Sequence, residues 1–236
     1  MQVPYLKPQL NYYQDINVMT SMTDQVYQAI YEEIINGTLH PNQKLHIAQL
    51  AEKFDVGLSP IREALSRLIA TNLVIAISQR GFKVASISRE DLDDIYTTRT
   101  FIEKIALKLS IEKGDENWEG ELISAFHCLS HTESKMDQLD FTSYQRWEKH
   151  HRAFNLKLIG ACGLNHLLQI QEKLYHETER YRRIWVFAGM QENRVLKFSV
   201  KQKALMEAAL ARDTEKATHL LEEHFAHAKK LIAQYL

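Results

Sequence analysis

Between Leu45 and Val84 the hydrophobic pattern changes period within one short stretch, and few folds accommodate that change. Ile47, Leu50, Ala51 and Phe54 recur at helical spacing, and Gly57 follows in a turn short enough for two helices to cross there. Ser59 is a candidate helix cap and Pro60 suits the first helical position, where a missing N–H costs nothing. Ile61, Ala64, Leu65 and Leu68 form the next apolar stripe, which leaves Arg62, Ser66 and Arg67 facing outward. After Asn72 the run Leu73–Ile77 is short and β-branched, Gln79-Arg80-Gly81 reads as a turn, and Phe82-Lys83-Val84 returns as a second strand. An earlier amphipathic helix from Thr23 to Ile35 carries Val26, Ile30, Ile34 and Ile35 and stops at Asn36-Gly37. Helices, turn and β-ribbon together spell a winged helix-turn-helix, whose second helix enters the DNA major groove while the ribbon touches the backbone or minor groove.

Charge supports that placement locally rather than globally. The whole chain has a net charge of −1, so bulk charge recruits neither nucleic acid nor membrane. Between Gly57 and Lys83, however, Arg62, Arg67, Arg80 and Lys83 stand against Glu63 alone. Phosphate contacts through such a face release counterions and make affinity fall steeply with salt.

Beyond Ser88 the pattern is helical to the end, with spans expected near 89–112, 116–136, 141–160, 164–188, 193–211 and 214–234. Glycine and proline counts of 8 and 4 fit a mainly α chain. The expected architecture is a flexible arm over residues 1–20, a winged helix-turn-helix with a small β-hairpin over 21–87, and an all-helical antiparallel bundle over 88–236. Ser88 with Asp91 forms a capping-box-like start for the bundle. Cys128 and Cys162 suggest neither a disulfide framework nor a Cys-x-x-Cys site, and neither a signal peptide nor a membrane span is apparent. The expectation is a cytoplasmic protein that does not meet a membrane.

The segments INGTLHPNQKL, LAEKFDVGLSPIREALSRL and QRGFKV resemble the amino-terminal domain of GntR-type bacterial transcription regulators. The resemblance implies double-stranded operator DNA as partner, with Ser59, Pro60 and Arg62 at recognition-helix positions and Arg80 and Gly81 at the wing tip. Arg67 joins this DNA-binding set from its place on the outward face. Leu58 stands where the family usually carries an arginine that helps to read bases. The remainder is similar to the FCD effector domain of the FadR branch: Arg99 and Glu103 match its Arg-x-x-x-Glu pair, and HRAFNLKLIGACGLNHLL and ARDTEKATHLLEEH match its later helices.

Metal-binding members of that branch use an aspartate and three histidines, and the corresponding positions here are His151, Asn155, Gln202 and His224. Only His224 keeps the ligand type; His151 can substitute for a carboxylate, whereas neutral amides suit zinc or nickel poorly. No cofactor is therefore required, with a divalent metal on His151 and His224 as the alternative. The effector is then expected to contact Arg99, His151, Asn155, Gln202, His224 and Arg182 directly. GACGLNHLLQI and ERYRRIW are similar to the part of the family that represses glutarate and γ-aminobutyrate breakdown, which implies a short dicarboxylate effector, with Arg146 a further candidate partner.

The resulting expectation is a homodimeric repressor relieved by a small carboxylate, in which Arg62→Ala impairs DNA binding and Arg99→Ala impairs effector binding. Two other classes remain: a metal-dependent or hydrolytic enzyme, and a sensor acting through protein contacts. The pairs His127/His131 and His224/His227 have metal-compatible spacing, but two ligands alone make a weak site and polar helix-face histidines account for them; His150-His151 with Glu148 suggests acid–base chemistry, yet no nucleophile elbow or glycine-rich phosphate loop frames it. Glu172, Tyr175, Glu179 and Arg183 read as a solvated charged edge.

Overall fold

The computed structural model describes residues 21–77, 81–136, 141–191 and 199–236. The arm over 1–20 and Arg80 lie outside the described residues. Helix α1 (Met22–Ile35) starts at a capping box in which Ser21 and Asp24 satisfy each other's backbone N–H groups, and it ends with Gly37 at φ 73°. Helices α2 (Ile47–Phe54) and α3 (Leu58–Ala70) pack on it, with Ile30, Ile61, Ala64, Leu65 and Leu68 completely buried between them.

Three strands, rather than the expected two, complete this unit. Strands β1 (Lys44–Leu45), β2 (Val74–Ile77) and β3 (Gly81–Val84) form an antiparallel sheet in the order β1-β3-β2, with Val74 opposite Val84 and Leu45 opposite Phe82. A two-residue strand is too short to show alternation, which is why β1 was invisible to periodicity.

The turn before α3 also differs from expectation. The residue with left-handed backbone is Asp55, at φ 53°, whereas Gly57 is extended and serves as the N-cap. The helix begins at Leu58, so Ser59 and Pro60 sit inside its first turn and Ser59 does not cap it. Pro60 remains tolerated, because none of the first four N–H groups has an intrahelical partner.

The second unit comprises α4 (Arg89–Lys113), α5 (Glu116–Ser134), α6 (Phe141–Ile159), a single 3-10 turn at Gly160–Cys162, α7 (Asn165–Gln191), α8 (Ser199–Leu210) and α9 (Thr214–Ala233). Ser88, Asp115 and Asp213 each accept a backbone N–H at a helix start, a chemistry readable from composition alone. The helix expected to begin at 193 is described from Ser199; the part over 192–198 lies outside the described residues. Leu92, Ala106, Leu107, Leu122, Leu129, Phe154, Ile159 and Leu221 make a core separate from the one between α1 and α3. Among the described residues no helix is long and apolar enough to cross a membrane.

Helix α7 ties the two units together. Tyr31 on α1 donates its hydroxyl proton to Glu179 and lies 2.9 Å from His176 Nδ1, with the Tyr31 and His176 rings edge to face. Asn72, just past α3, donates to Glu177 at 2.8 Å. The Tyr181 hydroxyl accepts from the Ser88 backbone N–H at 3.1 Å and donates to Asp91 at 2.5 Å, which anchors the connector into α4.

Candidate functional site

On the outer face of α3, Ser59, Arg62, Glu63 and Ser66 are exposed. Arg62 has no ion-pair partner among the described residues, while Glu63 accepts a hydrogen bond from Thr23 at 3.2 Å. The Ser66 hydroxyl is turned back onto the Arg62 carbonyl at 2.9 Å. Arg67 departs from the free cation read from the sequence: it pairs with Asp24 at 2.7 Å and lies over the Tyr27 ring at 4.5 Å, so it clamps α3 to α1. Leu58, the first residue of α3, is 52% exposed. Gly81, at φ 96°, takes the left-handed backbone that the tip of the wing requires; the neighbouring Arg80 lies outside the described residues.

The second site lies inside the bundle. Two arginines on different helices meet at one hydroxyl: Arg99 (α4) donates to Thr178 Oγ1 at 2.9 Å and Arg182 (α7) donates to the same oxygen at 3.0 Å. Each has a carboxylate of its own. Arg99 pairs with Glu103 at 2.7 Å, and Arg182 with Glu148 at 2.5 Å. The Tyr175 hydroxyl donates to Glu148 at 2.6 Å and stands 3.1 Å from His151 Nδ1, while both guanidinium groups lie near the Tyr175 ring. Stacked on Trp147 at 4.5 Å, His151 is held on its other side by Asn155, 3.2 Å from Nε2. The His224 ring centre is 6.5 Å from that of His151. Gln202, on α8 beside α9, is buried with neither amide atom hydrogen-bonded among the described residues, and the buried Oε1 of Gln171 is likewise unpartnered among them.

Electrostatics keep this cluster nearly neutral. Burial opposes ionisation of Glu148, but the Arg182 guanidinium overrides it and holds the carboxyl down at about 2. Burial drives His151 well below its ordinary range, against the pull of Glu148. His224 falls to about 4, first through burial and then through the facing charges of Arg99, Lys201, His227 and Arg182. A histidine whose folded pKa is depressed binds its proton more readily in the unfolded chain, so its contribution to stability is present above about pH 6.5 and is lost as pH falls toward 4. Thermal unfolding followed from pH 7.5 to pH 5 should therefore show a falling midpoint, with a smaller fall in His224→Asn.

The structure thus brings Arg99, Arg182, His151 and Asn155 into one network, with His224 beside it, and leaves Arg146 exposed on the surface. Glu148 as the partner of Arg182, together with Tyr175, Thr178 and Gln171, was missed as part of this site. Tyr175 and Arg183, read as a solvated edge, are both buried, although Glu172 is exposed as expected. The spacing of Tyr175, Thr178 and Arg182 along one helical face was the available signal.

Of the four positions where the family's metal ligands fall, two are histidines, His151 and His224, and two are neutral amides, Asn155 and Gln202. Asn155 donates its amide N–H to the His151 carbonyl at 2.8 Å, and Gln202 is buried. Among the described residues no three His, Cys, Asp or Glu side chains converge as a metal site requires.

Comparison with known proteins matches residues 22–84 to the bacterial regulatory proteins of the gntR family and residues 94–227 to the FCD domain. The chain belongs to the GntR family. This GntR chain is 33% identical over 219 residues to the HTH-type transcriptional repressor GlaR of Escherichia coli K12, covering 92% of this chain and 98% of GlaR. It is also 33% identical to the HTH-type transcriptional regulator BphR of Paraburkholderia xenovorans LB400, covering 91% of this chain and 86% of BphR. The solved structure of E. coli McbR/YncC superposes with a TM-score of 0.71 at 23% identity, covering 92% and 99% of the two chains, and so supports the fold alone. As a GntR member the chain is a DNA-binding transcription regulator with an FCD effector domain, and its families and relatives are regulators rather than enzymes.

Proposed function

We propose that this chain is a cytoplasmic repressor that binds a two-fold operator as a homodimer and is released by a short dicarboxylate of the size of glutarate, without a metal. Arg62, Ser59 and the wing at Arg80 and Gly81 supply the DNA contacts, with Pro60 shaping the first turn of α3. Arg67 supports this face from behind. An exposed leucine at the start of α3 favours apolar contact with a thymine methyl group over the guanine contact an arginine would make.

The observation that carries the effector reading is Gln202. Its side chain is 2% exposed and both amide atoms lack partners among the described residues. An unsatisfied buried polar group costs about 1–3 kcal/mol, which a ligand carboxylate accepting from Nε2 would recover. Arg99 and Arg182 are buried guanidinium groups that a ligand carboxylate would compete for with Glu103 and Glu148, and the histidines beside them, with their pKa values depressed, impose no repulsion on one another.

Release follows from the two faces of α7. Tyr175, Thr178 and Arg182 point into the effector cluster, while His176, Glu177 and Glu179 hold α1 and the end of α3. A ligand that re-seats Arg182 therefore shifts the helix on which the winged domain rests. Titrating the protein into an operator duplex, selected from a random pool, with and without millimolar glutarate tests both halves. Glutarate is expected to weaken duplex binding about tenfold, a coupling in the usual range of ~1–3 kcal/mol. In Tyr31→Phe that ratio should fall toward one while glutarate binding by calorimetry persists. No heat from any short mono- or dicarboxylate would contradict the effector reading.

A further inference from the structure

We infer that Glu148 is a built-in occupant of the effector site: its carboxylate holds the seat on Arg182 that the effector's carboxylate takes, and it must give up that seat for the effector to bind. The inference rests on the effector reading above and names which of the two paired acids gives way. Three donors converge on this one buried side chain. Arg182 Nη2 donates to Oε1 at 2.5 Å and the Tyr175 hydroxyl to the same oxygen at 2.6 Å, while the Tyr144 hydroxyl donates to Oε2 at 3.1 Å. A guanidinium and two hydroxyls contributed by α6 and α7 are what receives a carboxylate well, and here one of the chain's own fills the place.

The other buried acid is not suited to this part. Glu103 sits one turn from Arg99 on α4 and accepts from Arg99 Nε at 2.9 Å and from Nη2 at 2.7 Å, with Gln171 donating to the same oxygen at 3.2 Å. A pair within one helix opens without shifting any helix against another. Glu148 and Arg182, by contrast, bridge α6 and α7, and α7 carries the contacts to α1 and to the end of α3. Exchange at Glu148 therefore reaches the winged unit.

The displaced charge also has a place to go. Arg183, next along α7, stands over the Tyr144 ring at 5.0 Å, and the Glu148 charge already acts on it. A carboxylate that turns away from Arg182 keeps its bond to Tyr144 and passes to this second guanidinium, so no buried charge is stranded. Two carboxylates on one buried guanidinium repel each other, which makes Glu148 the group that sets the concentration at which a ligand succeeds. It sets the class of ligand as well, because a neutral amide or ester has no charge with which to draw Arg182 away.

Calorimetry and thermal unfolding of the full-length chain decide the matter. Glu148→Gln keeps the shape and removes the charge. It is expected to bind glutarate about tenfold more tightly than wild type although the ligand-free variant melts lower, since a like charge in a buried site opposes a second by about a factor of ten or more. A purely structural residue would lose affinity together with stability. Glu148→Ala opens the seat, and acetate should then raise its unfolding midpoint more than that of wild type, whereas acetamide should not. Either variant decides alone should the other not fold. Glutarate that binds wild type and is held no more tightly by Glu148→Gln, or a Glu148→Ala midpoint that responds to acetate no more than wild type does, would overturn the proposal. Indifference to glutarate in both wild type and Glu148→Gln, with acetate still taken by Glu148→Ala, would instead sink glutarate as the effector and leave the carboxylate seat standing.

Discussion

Arg62→Ala should weaken operator binding about ten- to a hundredfold, the ~1–3 kcal/mol expected for a groove-facing arginine, while leaving the unfolding midpoint within a degree of wild type. The separation is sharp because α3 divides its labour residue by residue. Ile61, Ala64, Leu65 and Leu68 are buried to the last atom and hold the helix in place, whereas Arg62 projects from the opposite side without an ion-pair partner among the described residues. Removing it uncovers no core and leaves no buried charge behind. The plot of log affinity against log salt should also flatten by about one counterion if Arg62 neutralises a phosphate. Fluorescence anisotropy over a salt series, paired with differential scanning calorimetry, reads both quantities. Unchanged affinity and slope would remove α3 from the interface.

Arg99→Ala is expected to destabilise the protein by about 3–5 kcal/mol, because it strands the carboxylate of Glu103 in the interior. Arg99 and Glu103 are only 2% and 1% exposed, joined at 2.7 Å, and among the described residues Gln171 alone would remain to bond the orphaned carboxylate. For a chain of this size the midpoint should fall on the order of 10 °C. Replacing both partners at once, as Arg99→Met with Glu103→Leu, should recover most of the loss, since apolar substitutes of similar volume spare the desolvation of two charges. Truncating Arg99 is therefore a poor probe of effector contact by itself, contrary to what its sequence position suggests. A midpoint within 2 °C of wild type for Arg99→Ala would contradict the buried pair.

What was legible in the sequence follows local chemistry. The start of α4 at Ser88 and of α9 at Asp213 could be read because a cap is a matter of one side chain and the backbone three residues on. The stripe Ile61, Ala64, Leu65 and Leu68 was equally plain, since a 3.6-residue period needs no knowledge of the partner surface. The pairing of Arg67 is hidden from the sequence, because an outward position on a helix does not reveal what waits beside it; Asp24 and Tyr27 belong to a helix some forty residues earlier. The same limit hid Glu148 as the counter-charge of Arg182, since those residues meet only when α6 and α7 are laid together. The type of Ser59 and its place before Pro60 permit a cap, yet the turn positioned by Asp55 starts the helix at Leu58. The family's ligand positions could be located by resemblance, but the unpartnered amide of Gln202 is visible only in three dimensions.

Duplex binding by the full-length wild type, followed by anisotropy from 50 to 300 mM salt with and without glutarate, tests the central claim most directly. The account predicts tight binding at low salt to the selected operator, a steep linear decline of log affinity with log salt, and a parallel line displaced to weaker affinity when glutarate is present. Affinity for the selected operator no greater than for scrambled duplex at every salt concentration, or lines that coincide with and without the carboxylate, would contradict it.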